Sequence, residues 1–164
     1  MHDDASAAPP RSRAEQMVRA AWVLGLAGLV PFVVGAWLIV TGSEIIPLPD
    51  LPFVVLCYGA IILSFLGGIR WGAALNERHR QSPTTLAQSV VPALAAWVCA
   101  LLPSPWSFVG LAVAFAVQGV WDIAAIRAGR IATPWFAQLR MVLTVGAVLS
   151  LAVIAYASAQ PVAY

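Results

Sequence analysis

The sequence predicts an all-α integral membrane protein, a bundle of five transmembrane helices with the N-terminus in the cytoplasm and the C-terminus outside. Three observations lead to this fold class. Of the 164 residues, 61% are hydrophobic and only 10% are charged, whereas about 25% of the residues of a soluble domain are charged. The hydrophobic residues form five long runs. The nine cationic residues are all arginines, and they are grouped at one end of those runs.

Each run is long enough for a helix to cross the hydrocarbon core of a bilayer, which takes about 20 residues at a rise of about 1.5 Å per residue. Residues 1–19, before the first run, are polar and carry charges of both signs. We expect them to form a disordered cytoplasmic tail. The transmembrane domain then covers residues 20–160, and the predicted spans within it are residues 20–41, 53–75, 83–102, 105–126 and 134–159.

Prolines occur at the starts of these spans and inside them. Three spans are preceded by a hydroxyl residue and begin with a proline at the first helical position: Ser82-Pro83, Ser104-Pro105 and Thr133-Pro134. The hydroxyl group can cap free backbone N–H groups. Pro31 and Pro92 lie inside the first and third spans. Each predicts a kink, because proline has no N–H to donate to the preceding turn.

The arginines predict the orientation. They lie before span one, around the connection from span two to span three, and around the connection from span four to span five: Arg11, Arg13, Arg19, Arg70, Arg78, Arg80, Arg127, Arg130 and Arg140. Five spans place all three groups on one side, and short positively charged loops stay in the cytoplasm. The opposite loops carry only Glu44 and Asp50. The N-terminus is therefore predicted inside and the C-terminus outside.

Span two carries a stripe of small residues. A small residue occurs at every fourth position, at Ala60, Ser64, Gly68 and Gly72. This spacing places the four residues along one face of a helix. Small residues let another helix approach closely, and such packing drives helix association in lipid. The small-residue stripe predicts either packing inside the bundle or a docking surface for a partner subunit or a second copy.

Two opposite charges lie well inside the hydrophobic runs. Arg70 and Asp122 are both about 26 Å from the outer ends of spans two and four at helical rise, so we expect them to form an ion pair. Pairing lowers the free-energy cost of burying either charge alone. In the alternative interpretation, Arg70 extends to the lipid headgroups and Asp122 bonds to Gln118, Trp121 or water.

The sequence lacks the constellations that carry catalysis or bind metals. Its two histidines lie in polar segments, and Cys57 and Cys99 lie in hydrophobic runs outside any metal-binding spacing. A Cys57–Cys99 disulfide is an open alternative to two buried thiols. No nucleotide-binding or hydrolase motif occurs, and no basic folded domain suggests nucleic-acid binding. We therefore expect no enzyme activity, no cofactor, no metal and no nucleic-acid partner.

Several strings of the sequence resemble those of one family. They are Gly25-Leu26-Ala27-Gly28-Leu29-Val30-Pro31-Phe32, the segment 58–72, Asp122, and Leu139-Arg140-Met141-Val142-Leu143-Thr144. Over roughly residues 20–155, the chain resembles domain-of-unknown-function family 3429, the transmembrane protein 69-like family. This resemblance implies a small multi-pass protein of bacterial or mitochondrial inner membranes. It implies no catalytic residue, but Arg70, Asp122 and Arg140 are polar positions within the family-like strings.

These observations favour a non-enzymatic protein of the bacterial inner membrane. We expect a structural or assembly component that is surrounded by lipid and packs against another membrane protein or a second copy of itself. The alternative is a small transporter or channel in which Asp122 and Gln118 form a proton or cation site. That alternative predicts a polar cavity that reaches beyond Asp122 toward the outer face.

Overall fold

The long hydrophobic runs form helices, because a helix satisfies its own backbone hydrogen bonds in a medium without water. A computed structural model of the chain describes residues 13–43, 45, 50–74, 83–129 and 134–160. Within these residues the structure has no strand and five helices, which confirms the all-α prediction. The helices are α1 (Arg13–Thr41), α2 (Leu51–Ala74), α3 (Pro83–Ala100), α4 (Trp106–Arg127) and α5 (Pro134–Ala159).

Four of the five helices, α1, α2, α4 and α5, are long and apolar enough to cross a membrane. Helix α3 has 18 residues, a length of about 27 Å, and its apolar part, Leu86–Ala100, is shorter than the other four. The chain is therefore a membrane protein with several candidate spans. A full crossing by α3, and with it the placement of the two termini, stays a prediction.

Three helix starts differ from the prediction, since α2 begins at Leu51 rather than at residue 53 and α4 at Trp106 rather than at residue 105, and the largest difference is at α1. Helix α1 begins at Arg13, so residues 13–19, predicted as disordered tail, are helical. Their composition favours a helix, and Glu15 lies in the first turn, where a negative charge complements the helix dipole. Residues 1–12 lie outside the described residues.

Another difference concerns the residue before α4. Pro105 occupies the N-cap position without a side-chain cap, so the predicted Ser104 cap is wrong. The backbone carbonyls of Pro103 and Pro105 accept hydrogen bonds from the first N–H groups instead. Ser82 and Thr133 lie outside the described residues. Helix α2 has a side-chain cap that was not predicted. Asp50 Oδ1 accepts a hydrogen bond of 3.0 Å from the Phe53 N–H.

The helices form a closed bundle. Helix α2 packs along α3, α4 packs along α5, and α1 contacts both α2 and α5, while α4 also contacts α2 and α3. Aromatic rings join three helices at the centre, because the Phe32 ring meets Tyr58 and Phe115 edge-on, with centroids 5.2 and 5.6 Å apart. Leu63, Leu111, Leu151 and Ile154 complete this core and are fully buried.

Two glycines permit close helix contacts at one end of the bundle. A Cβ on Gly67 would overlap the carbonyl oxygen of Ser89, so α2 and α3 touch there through their backbones. A Cβ on Gly119 would overlap the side chain of Thr144, which brings α4 against α5. Pro92 lies inside α3 and packs against Gly67, and Pro31 lies inside α1; the predicted kinks stay predictions.

The small-residue stripe of α2 does not face the interior along its whole length. Ala60 and Ser64 are half-buried, whereas Gly68 and Gly72 are exposed. In the part of the chain that the structure describes, no atom of a neighbouring element lies within 4 Å of a Cβ built on either glycine. The face of α2 that packs inside the chain contains Gly67 instead. Packing among the described residues therefore does not account for the end of the stripe that contains Gly68 and Gly72.

Candidate functional site: a buried arginine–aspartate–arginine cluster

Three helices bring polar side chains together inside the bundle. Arg70 comes from α2, Gln118 and Asp122 come from α4, and Arg140 comes from α5. Arg70, Gln118 and Asp122 are each 5% exposed and Arg140 is 3% exposed. Buried charges of this kind are costly in a membrane unless they are paired. We call these four residues the polar cluster.

Asp122 is the centre of the polar cluster. Its Oδ1 accepts a hydrogen bond of 2.8 Å from Nε of Arg70, and its Oδ2 accepts a hydrogen bond from Nη2 of Arg140. Gln118, one helical turn earlier on α4, donates from Nε2 to Oδ1 over 3.0 Å. Each carboxylate oxygen therefore has a cationic partner.

The Arg70 guanidinium has a second contact. It lies over the ring of Trp121, 4.6 Å from the ring centroid, a geometry typical of a cation–π interaction. The pairing with Asp122 is the one that the equal depths of the two residues predict. Because Arg70 is buried, the alternative in which it extends to the lipid headgroups is wrong.

The polar cluster carries an excess of positive charge. Arginine stays protonated in proteins, so the two guanidinium groups and one carboxylate leave a net charge of +1 on these three residues. Among the described residues, Nη2 of Arg70 and Nε of Arg140 are buried without a hydrogen-bond partner. Buried donors that lack a partner are costly. The arrangement therefore favours an additional acceptor or anion rather than a cation.

The buried position of Arg140 is not predicted by the charge pattern. That pattern assigns Arg140 to the positively charged group around the loop before span five. The structure places Arg140 six residues after the first residue of α5, about 9 Å into the helix, and turns it toward Asp122. The close contact of Gly119 with Thr144 holds α4 near enough to α5 for this ion pair. The depth of Arg140 in its span was the signal that could have found it.

Other candidate chemistry is not assembled in the described residues. They contain no group of three or more His, Cys, Asp or Glu side chains that could hold a metal ion. Cys57 and Cys99 are free thiols. On α4, the buried side chains between Gln118 and the start of the helix include Phe115, Leu111 and Phe108, so apolar packing rather than a polar path continues from the polar cluster.

Comparisons with known proteins agree with this architecture. The family described as "Protein of unknown function (DUF3429)" matches residues 17–156. "Transmembrane protein 69" of Xenopus tropicalis is 40% identical over 136 residues, which cover 78% of this chain and 50% of the relative. "Transmembrane protein 69" of Mus musculus is 38% identical over 100 residues, which cover 57% of this chain and 40% of the relative. The chain thus spans about half the length of these relatives or less. No solved structure matches the chain.

Proposed function

The chain belongs to the DUF3429 family, and we propose that it is a non-enzymatic structural component of the bacterial inner membrane that assembles through the small-residue stripe of α2. The observation that carries this proposal is the exposure of Gly68 and Gly72, which have no neighbour among the described residues. Two glycines four residues apart in an apolar helix form the pattern that lets transmembrane helices pack closely.

The polar cluster supports this role because it sets the rotation of α2. Arg70 lies between Gly68 and Gly72 in the sequence and is bonded to Asp122 inside the bundle. Residues two positions apart on a helix point about 160° away from each other, since 3.6 residues complete a turn. When Arg70 points inward, both glycines therefore face outward, where a helix outside the bundle can reach them.

The partner that we propose for this surface is a second copy of the chain. A stripe of small residues is complementary to itself, and a two-fold dimer uses the same surface on both subunits. Ile61, an exposed neighbour on this side of α2, is apolar, so no like charges meet across such an interface within the described part of this face.

Energy transfer between labelled copies in liposomes tests this proposal. Gly68→Leu should weaken association by at least about tenfold, or about 1.4 kcal/mol, because the leucine side chain separates the helices. The monomer should fold normally, since none of the described neighbouring side chains lies within 4 Å of the new Cβ. Ala152→Leu, at an exposed position of α5, is the control and should associate like the original chain.

Two results would contradict the second-copy interface. One is energy transfer that falls to the level of random mixing as lipid is added, for the original chain and both variants alike. The other is a cross-link from Gly72→Cys to a different membrane protein in cells without a cross-linked dimer, which would assign the small-residue stripe to that protein instead.

The geometry disfavours the alternative of a proton or cation site at Asp122 and Gln118. Both oxygens of Asp122 already accept hydrogen bonds from arginines, and the net positive charge of the polar cluster repels cations. The buried side chains of α4 beyond Gln118 are aromatic and aliphatic. They are inconsistent with the polar cavity that a transport path predicts.

A further inference from the structure

A cavity lies beside the polar cluster, between α1, α2, α4 and α5. Its volume is about 140 Å³, and its walls are mostly apolar. Residues that line it include Leu24, Gly28, Phe65, Phe115, Arg140 and Thr144. An apolar cavity of about 150 Å³ in another protein is large enough to hold benzene. This cavity therefore has room for a ring-sized group or the first part of a hydrocarbon chain.

The cavity reaches the surface that faces lipid. Its lining residues Leu24 and Phe65 are 72% and 65% exposed, so its opening lies between α1 and α2. Further along these helices the gap is closed, because the Tyr58 hydroxyl donates a hydrogen bond of 2.7 Å to the Gly28 carbonyl. A ligand would thus enter sideways from the bilayer.

The inner wall of the cavity is positively charged. Arg140 lines it and is 3% exposed, and its Nε has no hydrogen-bond partner among the described residues. Asp122 neutralises only one of the two arginines that it bonds. Thr144, one helical turn after Arg140, adds a hydroxyl group to the same wall. A buried N–H of a cation is a strong donor for a carboxylate oxygen.

We propose that this cavity binds a lipophilic carboxylate of the fatty-acid class, with the carboxylate against Arg140 and the hydrocarbon chain leaving between Leu24 and Phe65 into the bilayer. The excess positive charge of the polar cluster selects an anionic head group over a neutral one. The apolar walls and the lateral opening select a ligand that is dissolved in the membrane.

Photolabelling of the full chain in phosphatidylcholine nanodiscs tests the proposal. The probe is a long-chain fatty acid with a diazirine near its carboxylate, and its methyl ester serves as the uncharged counterpart. The acid should label peptides of α1, α2 or α5 that line the cavity, and the labelling should saturate. The ester should bind at least about tenfold more weakly, because it lacks the charge-assisted hydrogen bond to Arg140.

Gly28→Leu fills the cavity and should abolish the saturable labelling. Its Cβ would lie 3.7 Å from the Tyr58 hydroxyl, an ordinary contact. Gly68→Leu is the matched control, because it makes the same substitution on the outward face of α2; it should keep full labelling even if it disrupts the proposed dimer. A negative result for the dimer therefore leaves the fatty-acid proposal standing, and a negative result for the cavity leaves the dimer proposal standing.

A second measurement does not depend on the variants. The free fatty acid should raise the thermal unfolding temperature of the original chain, because a ligand that binds the folded state stabilises it, and the methyl ester should not. The proposal is overturned by labelling that never saturates and is equal in Gly28→Leu, which indicates ordinary surrounding lipid. It is also overturned by equal binding of acid and ester, which indicates a neutral ligand.

Discussion

Gly67 and Gly68 are adjacent in α2, yet their surroundings are opposite. Gly67 is buried, and a Cβ there would overlap the backbone of α3 at Ser89, whereas Gly68 is exposed and has no neighbour within 4 Å among the residues that the structure describes. Successive residues are turned about 100° from each other on a helix. Small residues of one membrane helix thus serve both internal packing and the outer surface, and another residue must determine which glycine faces inward.

Arg70 is that residue. It is buried against Asp122, and a charge in the membrane is strongly driven to its partner. The Arg70–Asp122 bond therefore fixes the rotation of α2 and presents one glycine to α3 and the other to the outside. Variants of the polar cluster and of each glycine test whether Arg70 sets this rotation.

The largest effect should come from Asp122→Asn. This change removes the carboxylate and leaves two buried guanidinium groups without a counter-charge. Breaking a buried ion pair by removing one partner costs about 3–5 kcal/mol, so we expect the free energy of unfolding to fall by that amount. Reversible denaturation in mixed micelles measures it.

The control removes all three charges together, as Arg70→Met, Asp122→Leu and Arg140→Met. It should be less destabilising than Asp122→Asn, since a buried charged group replaced by apolar side chains of similar volume often costs little. An Asp122→Asn variant as stable as the original chain would show that the polar cluster does not hold the bundle together.

The next largest effect should be the difference in stability between leucine variants of the two glycines. Gly67→Leu should destabilise the chain by about 1–3 kcal/mol, because the larger side chain forces α2 away from α3. Gly68→Leu should change the free energy of unfolding by no more than about 0.5 kcal/mol, as is usual for exposed positions. Thermal unfolding of the monomer in detergent measures both variants.

Equal destabilisation by the two leucine variants would contradict the assigned rotation of α2. A larger loss from Gly68→Leu than from Gly67→Leu in the monomer would reverse it, and Gly68 would then be the glycine that faces α3. Because the two positions are adjacent, differences in helix propensity cancel.

The sequence was sufficient to predict the fold class and the ion pair between Arg70 and Asp122. Long hydrophobic runs leave few alternatives to helices in lipid, and equal depths in two spans predict that Arg70 meets Asp122. The direction of the small-residue stripe was not predictable from its spacing. A period of four residues describes a face of the helix but does not say what lies opposite that face.

Arg140 and the start of α1 show the other limits of the sequence. The positive-inside pattern assigns Arg140 to a cytoplasmic group and does not distinguish an arginine at the interface from one turned into the bundle. The latter depends on how closely α4 approaches α5 at Gly119. Residues 13–19 were predicted as a tail because they are polar, although polar residues extend a helix readily beyond the hydrophobic core.

The smallest effect should come from Tyr58→Phe, which removes one hydrogen bond and leaves the aromatic packing against Phe32 intact. Hydrogen bonds between membrane helices contribute about 0.6 kcal/mol on average, and the free energy of unfolding should fall by about that amount. Tyr156→Phe is the matched control, because Tyr156 is 71% exposed, and it should leave stability unchanged. An equal effect of both changes would show that the Tyr58 hydroxyl does not join α2 to α1. The end of α2 opposite Arg70 would then be held to α1 by side-chain packing alone.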